Sequence, residues 1–448
     1  MLVTFSVANF RSFDSEETFS LIASGRLAGS HDDHLCPIPN SDRKVLRAGV
    51  IYGANGAGKS NLFRALKFVQ DAVVEPPERD TGTDRKPFRL NLEPALESSF
   101  DVQFISANRL FRFGFKASDD AITEEWLTEI TGSRERTLYE RKTEADGRVV
   151  VDAQGLETDS KQAYTLASLG GQKNQTFLAT VISTLQRGEF GGKLSSVIEW
   201  FEHSLKLINP QSRFSKLAAY LDEHPEFALF ASEFLRSAST GVDSLDVHKL
   251  ELTEEQMKTL LPKSLELMGE SEDEMDVAEG YQIVRTKTSE KPYKVISVRS
   301  LHRAKDSKQV QFQLSDESDG TIRLLHLLPA IHDLDEEEIV YFIDEIDRSL
   351  HPNLIISFFE FFLNACQKSA AQMIVTTHES NLLDLDVLRR DEIWFAEKDR
   401  NSATRLYALT DFKVRKDDSV RKHYLQGRFG AVPFLGDINR LIAKENCD

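Results

Sequence analysis

The sequence predicts an α/β fold organised around a buried, largely parallel sheet. Three short apolar runs, at residues 48–52, 339–343 and 372–377, have the length and composition of strands buried on both faces. Helical patterns follow the first two runs, at residues 61–70 and 352–368. In such a sheet the carboxyl end of a strand delivers its polar residues to the ligand crevice.

The first run leads into a phosphate-cradling loop. Residues 53–60, with the sequence GANGAGKS, fit GxxxxGK[ST] at every fixed position and open a helix. Backbone N–H groups and the helix dipole favour phosphate there, so we expect bound ATP. Lys59 should reach the β- and γ-phosphate oxygens, and Ser60 should hold Mg²⁺. The predicted ATP-binding residues of this loop are Gly53, Ala54, Asn55, Gly56, Ala57, Gly58, Lys59 and Ser60.

The second run ends in two carboxylates, Asp344 and Glu345. In nucleotide hydrolysis Asp344 would bind Mg²⁺, usually through water, and Glu345 would polarise the attacking water. The alternative is that two acids merely end a buried strand. The glycine loop elsewhere in the chain favours the catalytic interpretation.

The third run ends at His378, which could contact the γ-phosphate and sense its loss. A lone histidine at a strand end is more often structural. Its spacing of 33 residues from Glu345, with one helix between them, favours a functional role.

A polar turn precedes another helical pattern at residues 318–331. Ser318, Gly320 and Thr321 would lie at the helix N-terminus, which makes a second potential phosphate site. The alternative is an ordinary helix cap, and taken alone the turn favours the cap.

Chain length and the distribution of apolar residues limit the kinds of protein that this sequence can form. A chain of 448 residues exceeds one ordinary domain, and we predict three parts: residues 1–190 with the glycine loop and β hairpins, a helical insertion at 191–275, and residues 276–448. No apolar run reaches the roughly 18 residues that span a bilayer. The N-terminus lacks a signal-peptide pattern.

Charge and cysteine usage add two expectations. Cys36, Cys366 and Cys447 are odd in number and far apart, which favours a reducing cytoplasm over a disulfide framework. The lack of a long apolar run predicts no membrane partner. The net charge of −17 argues against broad electrostatic binding of DNA, so any DNA contact should be weak and local.

Taken in order, these motifs resemble an ABC-type ATPase head. The matching segments are NFRSF at 9–13, the glycine loop, SDGT at 318–321, the strand ending in Asp344 and Glu345, Asp347 with LHP at 350–352, and TTH at 376–378. The set is similar to AAA-type ATPases related to SMC and OLD proteins. Many of those act in abortive-infection and anti-phage systems, including AriA-like ATPases of PARIS. The resemblance covers residues 1–190 and about 310–435, ending in the segment 424–433.

The resemblance implies roles beyond those that the residues themselves indicate. His378 corresponds to the switch histidine, and Asp347 to the D-loop that crosses to a partner. Ser318 and Gly320 occupy the signature that completes the other protomer's site in trans. ATP would then join a homodimer or higher homo-oligomer through its heads. Arg11 matches a nucleotide-proximal arginine.

The chain also departs from the family pattern. Its signature differs from the transporter form LSGGQ, which argues against import or export. The long interval from Lys59 to Asp344 accommodates the inserted helical lobe. A metal-coordinating glutamine should follow the glycine loop, and Gln103 is one candidate.

Three further features of the sequence do not predict a functional site. His31 to Cys36 contains histidines and acids but no second ligand pair follows, which indicates a polar loop. Asp384 and Asp386 lack the surroundings of a nuclease site. The basic stretch from Lys413 to Arg428 favours a solvated face over a nucleic-acid site.

The sequence therefore predicts a Mg²⁺-dependent, ATP-hydrolysing ABC-type ATPase with a mixed β lobe and an inserted helical lobe. The favoured role is a sensor or regulatory subunit of an anti-phage system that controls a separately encoded toxin or nuclease effector. The alternative is a DNA-binding SMC- or RecF-like repair or chromosome-structuring ATPase. The insertion lacks the sustained heptads of long coiled-coil arms, which disfavours that alternative. An inactive scaffold is disfavoured because Glu345 is present.

Overall fold

A computed structural model describes residues 1–79, 81–91, 95–268, 274–286, 291–306, 308–332, 334, 338–414 and 419–432. These residues divide into two compact units. The first comprises Met1–Pro210, Asp335–Asp347 and Phe359–Asp448, and the second comprises Gln211–Leu334 and Arg348–Phe358.

Strands and helices are numbered in chain order over the described residues. The strands are β1 Leu2–Ala8, β2 Glu17–Ser20, β3 Leu35–Pro37, β4 Lys44–Leu46, β5 Ala48–Tyr52, β6 Ser98–Ser106, β7 Arg109–Ala117, β8 Ile122–Thr131, β9 Arg134–Thr143, β10 Val149–Asp152, β11 Leu205–Ile208, β12 Val242–Leu252, β13 Glu274–Ala278, β14 Tyr281–Arg285, β15 Tyr293–Arg303, β16 Gln309–Gln313, β17 Val340–Ile343, β18 Gln372–Thr377, β19 Ile393–Lys398 and β20 Thr404–Ala408. The helices are α1 Lys59–Val74, α2 Lys161–Ala167, α3 Phe177–Thr184, α4 Gly192–Glu199, α5 Leu217–Glu223, α6 Pro225–Ser237, α7 Glu254–Leu260, α8 Pro262–Leu267, α9 Asp319–Leu327, α10 Pro329–His332, α11 Pro352–Ala365 and α12 Val420–Leu425.

A six-stranded sheet lies at the centre of the first unit, in the order β11-β17-β18-β5-β19-β20. Its first five strands are parallel and β20 is antiparallel. Strands β5, β17 and β18 are buried along their whole lengths, as the continuous apolar runs predict. Because β18 lies between β5 and β17, the three predicted strand ends are neighbours at one edge of the sheet.

The second sheet of this unit is antiparallel, in the order β10-β9-β8-β7-β6-β1-β2. It contains the hairpin of β6 and β7, within the part of the chain predicted to carry β hairpins. The two sheets share one hydrophobic core with the buried face of α1. Leu62, Phe63, Leu66 and Val69, which lie in the helical pattern at 61–70, are all buried.

The second unit combines helices with a five-stranded antiparallel sheet. Strand β15 is central, with β12 on one side and both β14 and β16 on the other. The helices α5 and α6 confirm the helical patterns that begin near Phe214 and Phe227.

The unit boundaries differ from the predicted ones. The first break falls after Pro210, and residues 211–334 include strand β12 within the segment expected to be helical. Apolar residues of β12 recur at intervals of two and three, a pattern that selects neither period, and ten residue pairs with β15 decide the conformation. Residues 415–418 of the basic stretch, the last residue of the segment 424–433 and Cys447 lie outside the described residues.

Across the part of the chain that the structure describes, no helix combines the length and apolar character needed to cross a bilayer.

Candidate nucleotide site

The glycine loop connects β5 to α1 with a backbone that requires glycine at two positions. Gly56 and Gly58 adopt φ angles of +78° and +110°, a region that side chains disfavour. A Cβ atom on Gly58 would also lie 2.0 Å from Thr404 Oγ1. The loop can therefore hold this shape only with glycine at residue 58.

Two residues from distant parts of the chain brace the loop. Thr404 Oγ1 donates to the Ala57 carbonyl at 2.8 Å and also lies within hydrogen-bond distance of Ser12 Oγ, at 2.8 Å. Ser12 Oγ also accepts from Asn61 Nδ2 at 2.8 Å, at the start of α1. These contacts join the N-terminal segment, the loop and β20.

Lys59 lies inside the concavity of the loop and is 5% exposed. Its ammonium donates to the carbonyl oxygens of Gly53, at 2.7 Å, and Ala54, at 3.3 Å. Burial lowers the pKa of Lys59 to about 8, and the nearby carboxylates of Asp347, Asp344 and Glu345 act in the opposite direction. The lysine is a buried cation at the place where phosphate would bind.

Ser60 and Asp344 come together across the site. Ser60 Oγ donates to Asp344 Oδ1 at 3.1 Å, and Thr376 Oγ1 donates to the same oxygen at 2.6 Å. Hydroxyl and carboxylate oxygens are the hard ligands that Mg²⁺ prefers, so this pair fits the predicted metal site. Thr376 orients the carboxylate from the neighbouring strand β18.

Glu345 follows Asp344 in an unusual conformation. Its φ angle is +50°, a left-handed value that is costly for a residue with a side chain. Its backbone N–H donates to Thr376 Oγ1 at 2.8 Å, which holds the turn in place. The left-handed turn takes Glu345 out of the regular alternation of side chains along β17. The Glu345 side chain is half-buried.

His378 reaches the glycine loop from the end of β18. Its Nδ1 lies 3.1 Å from the Gly53 carbonyl oxygen, and Lys59 Nζ lies 3.2 Å from Nδ1 and 3.4 Å from Nε2. A neutral ring suits these neighbours, because it can donate to the carbonyl from one nitrogen and accept from the ammonium at the other. Burial and the charge of Lys59 lower the pKa of His378, which favours this neutral form.

Asp347 holds the backbone of His378. Both of its carboxylate oxygens lie 3.3 Å from the His378 backbone nitrogen and accept from it. The predicted D-loop residue therefore supports the predicted switch residue within the same chain.

Arg11 lines a cavity beside the loop. The cavity has a volume of about 430 Å³, and its lining includes Ser12 and Asn61 together with the basic residues Arg11, Lys86, Arg89 and Lys398. Arg11 also has a left-handed φ of +53°, and its backbone N–H donates to the Lys86 carbonyl at 2.6 Å. Four basic side chains around one opening make it suitable for an anionic ligand.

The predicted signature lies in the second unit, at the start of α9. Ser318 is the N-cap residue, and its hydroxyl accepts a hydrogen bond from the Thr321 N–H at 3.2 Å. Gly320 packs closely, since a Cβ there would lie 2.5 Å from the Ser349 carbonyl oxygen. Within one chain this turn has the structure of an ordinary helix cap, the alternative that the sequence favoured.

Sequence reasoning missed the residues that brace the site. Ser12 and Thr376 lie inside matched segments and Asn61 follows Ser60, but none of them was assigned a role. Thr404 adjoins no recognised motif. Their roles depend on contacts between residues that are far apart in the chain, such as Ser12 and Thr404.

Two weaker assignments can also be placed. Gln103 lies within β6, paired with Thr4 and Arg112, where it is part of a regular strand and not of a loop. Asp384 Oδ1 accepts from the Asp386 N–H at 2.9 Å, so these acids form a local turn.

The parallel sheet, its glycine loop and the acids at the neighbouring strand end define a P-loop ATPase head of α/β fold. A family model described as "AAA domain, putative AbiEii toxin, Type IV TA system" matches residues 50–384. This match covers more than half of the chain, and the protein belongs to that family. No curated protein sequence matches the chain.

Solved structures with distant similarity are heads of SMC proteins. An SMC head bound to the C-terminal winged-helix domain of ScpA shares 13% identity, with a TM-score of 0.40, over 91% of this chain and 97% of the other. The SMC head domain from Thermotoga maritima shares 13% identity, with a TM-score of 0.36, over 92% and 99%. An SMC head with an extended coiled coil, bound to the C-terminal domain of ScpA and derived from Pyrococcus furiosus, shares 12% identity, with a TM-score of 0.32, over 91% and 96%.

Proposed function

We propose that this protein is a Mg²⁺-dependent ATPase that regulates a separately encoded toxin or nuclease in a prokaryotic anti-phage system. One observation carries the enzymatic part of the proposal. The glycine loop, the Asp344–Glu345 pair and His378 lie at the ends of three adjacent parallel strands, with Lys59 in contact with His378 and Ser60 in contact with Asp344.

The chain's own groups suit the binding of a triphosphate. Lys59 would exchange its contacts with the loop carbonyls for the β- and γ-phosphate oxygens, and the N–H groups of the loop would surround them. Mg²⁺ held by Ser60 and Asp344 would neutralise charge on the phosphates. The basic cavity beside Arg11 would receive the remaining parts of the nucleotide.

Hydrolysis requires a water molecule placed in line with the γ-phosphate. Glu345 is the carboxylate that we assign to orient this water, because its left-handed turn redirects it out of the strand alternation. The neutral His378 would donate or accept a hydrogen bond at the γ-phosphate. Asp347 accepts a hydrogen bond from the His378 backbone N–H. This contact would link the presence of the γ-phosphate at His378 to the position of the loop that follows β17.

The regulatory part of the proposal rests on the family and on the chain's chemistry. The family description names an AAA domain, a putative AbiEii toxin and a type IV toxin–antitoxin system, and the groups gathered at the glycine loop suit an ATPase centre. We infer that two heads associate around ATP, with Ser318 and Gly320 of one chain completing the site of its partner. A cycle of ATP-driven association and release would then control the effector.

The direct test of enzymatic function is ATP hydrolysis by the purified chain with and without Mg²⁺. Lys59→Ala should abolish hydrolysis and weaken ATP binding, because it removes the buried cation. Lys67→Ala is the matched control, since Lys67 lies on the same helix in an exposed pair with Asp71. Failure of the wild-type chain to bind ATP, or equal binding by Lys59→Ala, would contradict the proposal.

The association in trans has its own test. Ser318→Arg should block hydrolysis while preserving ATP binding by each chain. Mixing it with Lys59→Ala should restore partial activity, because one site of the mixed dimer keeps both an intact loop and an intact signature. No recovery at any ratio, with mixed dimers shown to form, would exclude the trans arrangement.

The regulatory role is tested by purification from the native operon. A stoichiometric effector should co-purify, and its association should change between wild type and Glu345→Gln in ATP. The isolated chain should leave DNA and RNA uncut, and its binding to duplex DNA should be weak and steeply dependent on salt. Tight, salt-resistant DNA binding that ATP controls would favour the repair or chromosome-structuring alternative.

A further inference from the structure

The segment between β2 and β3 carries a cluster of potential metal ligands that the nucleotide site does not use. His31, Asp33 and His34 each offer one ligand atom, and these atoms lie within 4.8 Å of one another. His31 precedes the one-turn 3₁₀ helix Asp32–His34. Residues three apart eclipse in such a helix, and the rings of His31 and His34 accordingly stack with centroids 4.9 Å apart.

A buried carboxyl group lies behind His34. His34 Nδ1 lies 2.9 Å from Glu392 Oε1, and Glu392 Oε2 accepts the Arg389 N–H at 2.7 Å. Nδ1 therefore faces Glu392, and Nε2 is the ring nitrogen available to a metal ion. A carboxylate behind a histidine is a common support of metal-binding imidazoles.

His31 has the complementary arrangement. Its Nε2 lies 3.0 Å from the Leu385 carbonyl, which can only accept, so Nε2 carries the proton. The other nitrogen, Nδ1, therefore keeps its lone pair. Each histidine thus presents one lone-pair nitrogen, and each has a partner from the segment 385–392 outside the cluster.

The turn that carries the ligands is held in place by Arg389. This arginine is 1% exposed, forms two contacts with the carboxylate of Asp391, at 3.0 and 3.1 Å, and donates to the Ser30 carbonyl. At the other side of the turn, the Gly29 N–H donates to Asp32 Oδ1 at 3.2 Å. The ligands therefore stand on a structured turn, which reduces the cost of ordering them.

We propose that His31, Asp33 and His34 bind a divalent transition-metal ion, with Zn²⁺ the best fit. Two imidazoles and one carboxylate match the ligands that Zn²⁺ takes, and three protein ligands leave a fourth position open. The charge of Asp33 offsets part of that of the ion. Asp33 is exposed, so its carboxylate is accessible to an ion that the two imidazoles bind.

The test is titration of the metal-stripped full chain with Zn²⁺, without nucleotide or Mg²⁺, by calorimetry, with metal content measured after gel filtration. The wild-type chain should bind one Zn²⁺ at this site, and the temperature of unfolding should rise with Zn²⁺. Asp33→Asn and His31→Gln should each weaken binding at least about tenfold. Asp32→Asn, which changes the neighbouring exposed carboxylate, and His203→Gln, which changes an exposed histidine elsewhere, should bind as the wild type does.

Two further variants distinguish the proposed Zn²⁺ site from the nucleotide site and test the role of Glu392. Asp344→Asn should keep the Zn²⁺ site, because it removes only the ligand beside Ser60. Glu392→Gln tests the positioning role of the buried carboxylate and should weaken Zn²⁺ binding roughly 10- to 100-fold while changing the absorption spectrum of bound Co²⁺. Absence of Zn²⁺ binding by the folded wild type, or equal binding by Asp33→Asn and His31→Gln, would overturn the proposal and leave a structural His34–Glu392 pair.

Discussion

Helices α1 and α9 both begin where the sequence indicated a phosphate site, and their first residues are built differently. The N-cap of α1 is Gly58, which has a φ of +110° and supplies no side-chain hydrogen bond. The N-cap of α9 is Ser318, which has an extended backbone and accepts from the Thr321 N–H. The third N–H of α1, from Asn61, donates to the Gly58 carbonyl at 2.9 Å, whereas the third N–H of α9, from Thr321, donates to a side chain.

We infer that a helix start is better suited to an anion when no side chain of its cap accepts from its N–H groups. Around α1, Thr404 Oγ1 donates to the Ala57 carbonyl and lies beside Ser12 Oγ, so these contacts use none of the N–H groups of the loop. At α9 the Ser318 hydroxyl would have to turn away from Thr321 to leave all of the first-turn N–H groups to a partner's nucleotide. The residues of the first site lie together within one chain, whereas a nucleotide-binding role for the second is a proposal about two chains.

The largest effect is expected from replacing Glu345, the acid at the end of β17. Glu345→Gln should retain ATP binding and reduce turnover roughly 10²- to 10⁴-fold, because the amide fits the turn but cannot assist the water. Hydrolysis and equilibrium nucleotide binding should be measured on the same preparation. A Glu345→Gln chain that hydrolyses ATP at the wild-type rate would remove Glu345 from the mechanism.

The two glycines give a direct contrast between the helix starts. Gly58→Ala should destabilise the fold by about 1–3 kcal/mol and weaken ATP binding, because it forces a Cβ into Thr404 at a left-handed φ. Gly320→Ala meets the Ser349 carbonyl but has no left-handed φ, so it should lower stability while ATP binding by the single chain persists. Urea denaturation and nucleotide binding report the two effects.

Gly25→Ala is the control for this pair, because a Cβ there meets nothing within 4 Å. It should leave both the free energy of unfolding and ATP affinity near their wild-type values. Equal loss of ATP binding in Gly58→Ala and Gly320→Ala would show that ATP binding by the single chain does not distinguish the start of α1 from the start of α9.

The charge of Lys59 predicts a pH dependence. Its pKa in the folded chain is lowered to about 8, so the ammonium that phosphate requires is lost as pH rises through that value. ATP affinity should fall by up to about tenfold per pH unit above pH 8, since binding must then take up a proton. Fluorescent-nucleotide titrations from pH 7 to pH 9.5 would measure it, and Lys59→Arg should give a flatter profile because arginine stays charged.

Stability should change with pH in the opposite direction. Between pH 8 and the ordinary lysine pKa near 10.5, the unfolded chain binds the proton that the folded chain has lost. The contribution of Lys59 to the free energy of unfolding therefore rises with pH across this window. Denaturation curves of wild type and Lys59→Met at several pH values would isolate the contribution of Lys59.

The smallest expected effect is at the second helix. Ser318→Ala should lower the free energy of unfolding by about 0.5–2 kcal/mol, the usual cost of losing an N-cap. Ser160→Ala is matched to it, because Ser160 caps α2 through the same contact with the Ala163 N–H. If Ser318 serves only as a cap, both variants should hydrolyse ATP equally, whereas a role in trans should slow only Ser318→Ala.

Much of the nucleotide site could be predicted because its parts are encoded locally. The loop from Gly53 to Ser60 has its own turn chemistry, and the apolar runs before Asp344 and His378 specify buried strands over a few residues. Their meeting at one edge follows from the geometry of parallel sheets. The strand β12 could not be predicted in this way, because its apolar spacing is ambiguous and its pairing with β15 decided it.

Tertiary structure decided which side chains support those local motifs. Ser12 meets Thr404 across 392 positions of the chain, and His34 meets Glu392 across 358. No periodicity or motif carries such information, because each partner alone is an unremarkable polar residue. The order of the amino acids places the glycine loop and the two acids along the chain, whereas folding sets the orientation of Asp344 by Thr376, the shape of the loop and the partners of His31 and His34. The physical reason is that hydrogen bonds between side chains act over about 3 Å, and only the packed chain brings distant residues within that range.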